Sequence, residues 1–476
     1  MEDLEELERP HEACGVFGLY APGRDVARIT FFGLFALQHR GQESAGIAVA
    51  DGRHVRLHRE MGLVSQVFRE DVISDLVGDI AIGHTRYSTT GGSELCNAQP
   101  FMMHDPVLGT FALAHNGNLA NVDVLKKRLE RLGHSLESSS DSEIIAKMLL
   151  IAPGATWEKR LQSVMPQLSA AYSLVICTEN ELIAVRDPYA VRPLHIGHID
   201  GRWVISSETC AIDIVGGTVE REVRPGEIVR IDGVGADHLH STQGVPAKPR
   251  ASCLFEHIYF ARPDSNLGAG SLYSARQRMG RALAREYPVA ADVVISVPDS
   301  ATPAATGYAA ARGIPFADGL IKNRYIGRTF IQPDPVLRER GVQLKFNPLP
   351  DVLAGQRVVM IDDSIVRGTT TRQLVKMLRQ AGAKEVHIGV TSPPFRHSCY
   401  LGIDVAQESQ LIAAQLPSVE AIAAAVGADS LHYLTLESLI IATGLPAAHF
   451  CTGCLTGIYP VKIEQEEHVS VPALSS

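Results

Sequence analysis

Residues 358–371 read VVMIDDSIVRGTTT, an apolar run that ends in two adjacent carboxylates, Asp362 and Asp363. Arg367, Gly368 and three threonines, Thr369, Thr370 and Thr371, follow. Backbone amides at a helix start, a glycine that lets the backbone approach closely and hydroxyl donors together cradle a phosphate. Paired carboxylates suit sugar hydroxyls or Mg2+, which takes one or two carboxylates beside phosphate oxygens. An acidic turn that only caps a helix is the plainer reading of the same residues. Cys14 opens a second candidate, CGVFGLY, immediately after an acidic head. A free cysteine is commonly a small buried residue, yet its thiolate is also a nucleophile. Polar clusters follow at 40–47 (RGQESAGI), 83–91 (GHTRYSTTG), 115–121 (HNGNLAN) and 138–143 (SSSDSE). Cys451 and Cys454 form a CxxC, which suits zinc, redox chemistry or neither.

These side chains need elements to hold them. In the first half, short apolar runs at 80–83, 111–114 and 173–177 predict strands, and three- and four-residue apolar spacing predicts helices over 122–132 and 141–150. Gly, His, Ser, Thr and Pro crowd residues 233–252, the best candidate for a linker. Beyond it the character changes. A helix is expected over 272–286, strands over 292–297, 358–361 and 386–390, and a helix over 369–381 with Leu374, Leu378 and Ala381 on one face. Strand, helix, strand at this spacing is a βαβ unit of a parallel sheet. Ligands bind at the carboxyl ends of such strands, where the Asp362–Asp363 loop must sit.

Composition bounds the function. At roughly 150 residues per domain, 476 residues allow about three domains, and two large ones of different class meeting near residue 250 fit best. Hydrophobic residues are 45% and charged residues 20%, which excludes a disordered or fibrous chain. A net charge of −9 argues against a general nucleic-acid binder. Six acids and one base in residues 1–13 supply much of it. The most apolar tract, 411–428, is interrupted by Gln415, Pro417, Ser418 and Glu420, so no membrane span is expected. The acidic start is unlike a secretory signal, which leaves the cytoplasm as the expected compartment. Eight cysteines in a reducing compartment point to metal or catalysis before disulfides.

Residues 358–371 resemble the 5-phosphoribosyl-1-pyrophosphate (PRPP) signature of type I phosphoribosyltransferases. The resemblance implies that Asp362 and Asp363 contact ribose hydroxyls and organise Mg2+, while Arg367 to Thr371 bind the 5-phosphate. It places a pyrophosphate loop at 297–302 (VPDSAT), with Ser300 touching metal or pyrophosphate. Lys322, Arg324, Arg328, Arg338, Arg340 and Lys345, against Asp334 and Glu339, suit a mobile lid over a polyphosphate or simply a solvated loop.

The clusters of the first half, with CGVFG, resemble class II, N-terminal-nucleophile amidotransferases. That implies that Cys14 attacks the side-chain amide of glutamine, releases ammonia and leaves a thioester for water to hydrolyse. Asn116 and the Gly117 amide would stabilise the oxyanion, Arg86 would grip the α-carboxylate, and Asp141 would hold the α-amino group. Taken singly, Arg86 and Asp141 are surface residues or caps more often than ligands. The mechanism also implies that residues 1–13 are a propeptide cut between Ala13 and Cys14, freeing an α-amino base of pKa about 7.7–8.0. The expected architecture is an α+β N-terminal-nucleophile glutaminase sandwich over 14–245, then an α/β type I phosphoribosyltransferase domain with a parallel sheet over 246–476, including a C-terminal cluster-binding region.

Joined, the two halves resemble the glutamine-dependent PRPP amidotransferases from Cys14 to about Tyr459. The resemblance implies that ammonia crosses a dry passage to C1 of PRPP and displaces pyrophosphate. The product would be 5-phosphoribosylamine, the first intermediate of de novo purine synthesis. Some members hold a 4Fe–4S cluster on four cysteines, and Cys253, Cys399, Cys451 and Cys454 match that pattern. Four thiolates suit Zn2+ too, so the family pattern decides for iron–sulfur, with a structural or oxygen-sensing role. Cys96, Cys177 and Cys210 are expected to pack, and His39, His84, His115 and His257 are assigned no catalysis. A homo-oligomer, commonly a tetramer, and inhibition by purine nucleotides are implied as well. Three rivals remain: a glucosamine-6-phosphate-forming amidotransferase, which would lack DDSIVRGTT; a non-catalytic PRPP or nucleotide sensor; and an iron–sulfur redox protein.

Overall fold

The computed structural model describes residues 14–87, 92–323, 345–403 and 407–463. The expected propeptide, and Arg324, Arg328, Asp334, Arg338, Glu339 and Arg340 of the basic stretch, lie outside the described residues.

Apolar runs of the first half form two antiparallel sheets. One has seven strands, in the order Thr218–Glu222, His195–Ile199, Arg202–Ser206, Gly15–Tyr20, Ile80–Arg86, Ser44–Ala50 and Val55–Met61. The other has six, ordered Leu239–Gln243, Glu227–Ile231, Leu182–Arg186, Ala170–Thr178, Gly109–Leu119 and Phe101–Asp105. Val16, Ala48, Ile80 and Ile82 of the first pack against Ala112, Ala114, Val175 and Ala184 of the second. The contact is tight: a Cβ at Gly18 would meet Val175 Cγ1 at 2.7 Å. Helix Val26–Ala36 covers the outer face of the first sheet, and Val122–Arg131 and Asp141–Ile151 cover the second. Sandwiched strands are buried on both faces, so Ile80–Arg86 and Ala170–Thr178 read as continuous rather than alternating runs.

In the second half, Val293–Ser296, Arg357–Asp362, Glu385–Val390 and Ser430–Tyr433 form a parallel sheet in that order. The two-residue period sorts its faces. Val359 and Ile361 meet helices Leu272–Glu286 and Thr302–Arg312, while Val358 and Met360 meet Thr369–Gln380 and Val419–Val426. The first two helices touch backbone to backbone, since a Cβ at Gly280 would fall 1.8 Å from Ala304 O. Among the described residues no helix is long and apolar enough to cross a membrane.

The stretch expected as a linker, 233–252, is different in form. Leu239–Gln243 is an edge strand paired with Glu227–Ile231, its side chains half exposed, which explains its polar composition. The rest is tied to the first domain: Lys248 N donates to Pro188 O at 2.9 Å and Ala251 N to Tyr189 O at 2.8 Å. Ser252–Cys253 then pairs in parallel with Phe450–Cys451, joining the start of the second domain to its far end.

Candidate functional site

Cys14 precedes the central strand Gly15–Tyr20, whose register with Ile80–Arg86 sets Gly15 opposite Thr85. Arg86 and Tyr87 therefore arrive beside the thiol. Cys14 Sγ donates to Tyr87 O at 3.5 Å, and both residues border a narrow cavity with Arg86, Gln99, Gly117, Asp141 and Ser142. Burial pushes the Cys14 thiol up; the Tyr87 carbonyl and Arg86 oppose that, and Asp141 and Glu43 reinforce it. A buried thiol of this kind needs a base to become a nucleophile. Arg86 is itself buried and donates to Glu43 Oε2 at 3.1 Å.

The far wall of the cavity is the edge of strand Gly109–Leu119. Its neighbour Phe101–Asp105 pairs only as far as Leu113, so residues 115–119 present an unpaired edge. On that edge alternate amides point outward. His115 N donates to Gln99 Oε1 at 2.8 Å and Leu119 N to Asp141 Oδ2 at 2.9 Å. Gly117 lies between them on the same edge and borders the cavity. Asn116 sits behind, fully buried, with Nδ2 3.5 Å from Ser207 Oγ and Oδ1 without a hydrogen-bond partner among the described residues. Ser207 Oγ also accepts from Val16 N at 3.0 Å, which ties Asn116 to the nucleophile strand.

Gln99, Ser142 and Glu43 carried no role in the sequence reading. Gln99 Nε2 donates to Ser142 Oγ at 2.9 Å, and Ser142 Oγ lies 3.4 Å from Asp141 Oδ1 and 3.0 Å from His115 Nδ1. One amide side chain thus clamps the strand edge to the start of helix Asp141–Ile151. Only the strand pairing reveals it.

At the second site, Asp362 ends the central strand Arg357–Asp362 and both aspartates are buried. Asp363 accepts from Ser300 Oγ and, at 2.8 Å, from Ser364 Oγ, so the structure brings Ser300 to the acidic pair. Gly368 caps helix Thr369–Gln380 at φ 77, and a Cβ there would meet Ile412 Cδ1 at 2.6 Å. Thr369 is exposed, Thr370 half-buried and Thr371 buried, while Arg367 donates to Gln410 Oε1. Beside them opens a cleft lined by Ser300, Asp299, Lys322, Lys345, Arg262, Tyr259 and, from the first domain, His39. Lys322 Nζ holds Asp299 Oδ2 at 2.7 Å. Arg276 closes the floor; burial lowers its pKa to about 10, and Asp363 pulls the other way.

A buried charge cluster joins the two sites. Arg40 donates to Cys14 O at 3.2 Å, to Glu208 Oε1, and to Glu256 at 3.0 and 2.6 Å. Arg192 pairs with Glu256 at 2.7 Å. Glu208 also accepts from His39 at 2.7 Å, from Arg262 N at 2.9 Å and from Ser265 Oγ at 2.6 Å. His39 and Arg262 line the cleft.

Cys253 and Cys451 are register partners, and Cys454 and Cys399 lie near enough that each thiolate raises its neighbours. Burial is the larger cause, and pushes Cys253 up to about 12. None of the four is in a disulfide. Among the described residues no group of His, Cys, Asp or Glu is set to hold a metal ion. Cys177 and Cys210 are buried, whereas Cys96 is exposed rather than packed.

Residues 84–213 match a family model described as a glutamine amidotransferase domain, and residues 273–404 one described as a phosphoribosyl transferase domain. The chain is 52% identical to the amidophosphoribosyltransferase of Synechococcus elongatus, across 97% of this chain and 94% of that one. It is 45% identical to the Bacillus subtilis amidophosphoribosyltransferase, across 97% of each. A solved structure of B. subtilis glutamine PRPP amidotransferase complexed with ADP and GMP superposes with a TM-score of 0.89, covering 95% of this chain and 98% of that one at 45% identity.

Proposed function

The chain belongs to the amidophosphoribosyltransferase family, and from that premise we propose how its residues divide the family's reaction. Glutamine and PRPP become 5-phosphoribosylamine, glutamate and pyrophosphate, the first step of de novo purine biosynthesis. Cys14 attacks the glutamine amide. Arg86 holds the α-carboxylate through its planar fork, and Asp141 takes the α-amino group. The tetrahedral oxyanion sits on Gly117 N, with the Asn116 side chain turning from Ser207 to supply the second donor. The observation that carries this reading is the place of Gly117, on an unpaired strand edge between the amides held by Gln99 and Asp141 and bordering the cavity of Cys14.

The lone pair of a peptide nitrogen at Cys14 is delocalised into the carbonyl and cannot act as base, so removal of residues 1–13 activates the thiol by exposing an α-amine beside it. This fits domains spanning 14–245 and 246–476. At the second site Arg367 and the amides and hydroxyls of Gly368, Thr369, Thr370 and Thr371 receive the 5-phosphate. Asp362, Asp363 and Ser300 fit Mg2+, which would neutralise the pyrophosphate leaving group. The cleft shared by His39 and Tyr259 would lead ammonia toward C1, where exclusion of water on closure keeps it unprotonated.

Cys253, Cys399, Cys451 and Cys454, close enough to influence one another's charge, would supply the four thiolates of a 4Fe–4S cluster, whose several irons accept wider ligand spacing than one tetrahedral ion. Bound there, it would cross-link the two ends of the second domain. Purine nucleotides are the expected inhibitors, a tetramer the expected assembly and the cytoplasm the expected compartment. Neither nucleic acid nor membrane enters the reading. The test is Cys14→Ala: pyrophosphate release from PRPP should vanish with glutamine and persist with added ammonia. Loss of both activities would contradict two separable sites.

A further inference from the structure

Gly117 has no side chain to fix it, and a glycine within a strand is conformationally loose. An oxyanion donor must nevertheless be aimed to within a few tenths of an ångström. Part of the restraint comes from its own sheet, where a Cβ at Gly117 would fall 1.9 Å from Ala171 O. The rest comes from the other domain. Asn118 Nδ2 donates to Tyr400 O at 3.1 Å, and Gly402, at φ 97, lies against the Gly117 backbone. A Cβ on Gly402 would stand 3.0 Å from Gly117 C, 3.1 Å from its Cα and 3.2 Å from its O. Two glycines thus meet backbone to backbone across the domain boundary.

The backstop is itself anchored. Leu401 and Ile403, which flank Gly402, are buried in the core of the second domain, together with Ala171 of the first. Ala171 is the register partner of Asn118. The contact is therefore set by packed apolar side chains on both sides rather than by a surface loop.

We propose that residues 400–402 of the second domain are a positioning element for the oxyanion donor of the first, so that glutamine is hydrolysed at full rate only while the domains meet here. This rests on the reading of Gly117 N as that donor. The contact acts on kcat rather than on glutamine binding, because Arg86 and Asp141 lie elsewhere on the cavity wall.

Glutaminase kinetics of the full chain test it. Gly402→Ala forces Gly117 to shift by a few tenths of an ångström, and a 1 Å misplacement costs about 100-fold, so kcat should fall about tenfold. Glutamine KM and ammonia-dependent synthesis should stay at the parent values. Asn118→Ala, which adds no atom and no strain, should lower kcat several-fold with the same split, and decides the matter if Gly402→Ala does not fold. An unchanged kcat, or a parallel fall in ammonia-dependent synthesis, overturns the proposal. Asn116→Ala separates the two levels. If it keeps full glutaminase activity, the oxyanion reading itself is wrong; if it alone loses activity, only the role of residues 400–402 is wrong.

Discussion

Replacing Arg40 with methionine removes a guanidinium that is 1% exposed and leaves Glu208 and Glu256, 0% and 2% exposed, facing each other across its place. Four hydrogen bonds go, one of them to the Cys14 carbonyl. Arg192 remains as the ion-pair partner of Glu256 and His39 as that of Glu208, which also keeps its bonds from Arg262 N and Ser265 Oγ. Stripping one partner from a buried ion pair costs about 3–5 kcal/mol. At about 2–4 °C per kcal/mol for a domain of this size, the melting temperature should fall by about 6–20 °C.

The pH dependence has a definite sign. Burial alone would lift both carboxyls; His39 and Arg40 hold Glu208 well below the ordinary range, and Arg40 with Arg192 holds Glu256 below it. In the parent, that contribution is complete above the ordinary value of 4.5 and is lost as pH falls through the depressed folded values. In Arg40→Met the carboxyls rise and take up protons on acidification, which relieves their uncompensated charge. The deficit should therefore be largest near pH 8 and shrink toward pH 5, and adding Glu256→Gln should recover part of it at pH 8. Calorimetric scans at one rate and several pH values read all three effects. A deficit below about 2 °C, or one that does not change with pH, would refute the claim that this cluster depends on paired buried charge.

Gln99→Ala should raise glutamine KM about tenfold, since it frees His115 N and Ser142 Oγ at a cost of about 1–3 kcal/mol and loosens Asp141; ammonia-dependent synthesis should be untouched. Asp363→Asn should abolish synthesis from PRPP with either nitrogen source while basal glutamine hydrolysis persists, as measured by glutamate and pyrophosphate release in parallel.

Much of the fold was legible because its signals are local. The helix expected over 272–286 is Leu272–Glu286, and the strands around 358–361 and 386–390 extend by only a residue or two. Apolar spacing and β-branched runs state those elements directly. Arg86 and Asp141 stood out as motif residues, and the structure places both on the cavity of Cys14. Gln99 did not stand out, because a glutamine before a proline has no meaning until the edge of Gly109–Leu119 runs past it. Arg40 lay inside a quoted motif, but its carboxylate partners come from positions 208 and 256, and no spacing rule links them. The edge strand Leu239–Gln243 was hidden by its polarity, since a strand with half-exposed side chains is written in loop residues.

The pairing of Ser252–Cys253 with Phe450–Cys451 has a consequence for how the molecule is made. Every strand of the first domain precedes residue 244, so its sandwich is complete before the second domain has been translated. About 200 residues separate the paired cysteines, which at 5–20 residues per second is about 10–40 s of synthesis. Throughout that interval a nascent chain displays a finished sandwich whose Gly117 face has not yet met residues 400–402. If residues 400–402 position the oxyanion donor as proposed, ribosomal order lets hydrolysis of glutamine reach its full rate only after the domain that consumes the ammonia has assembled.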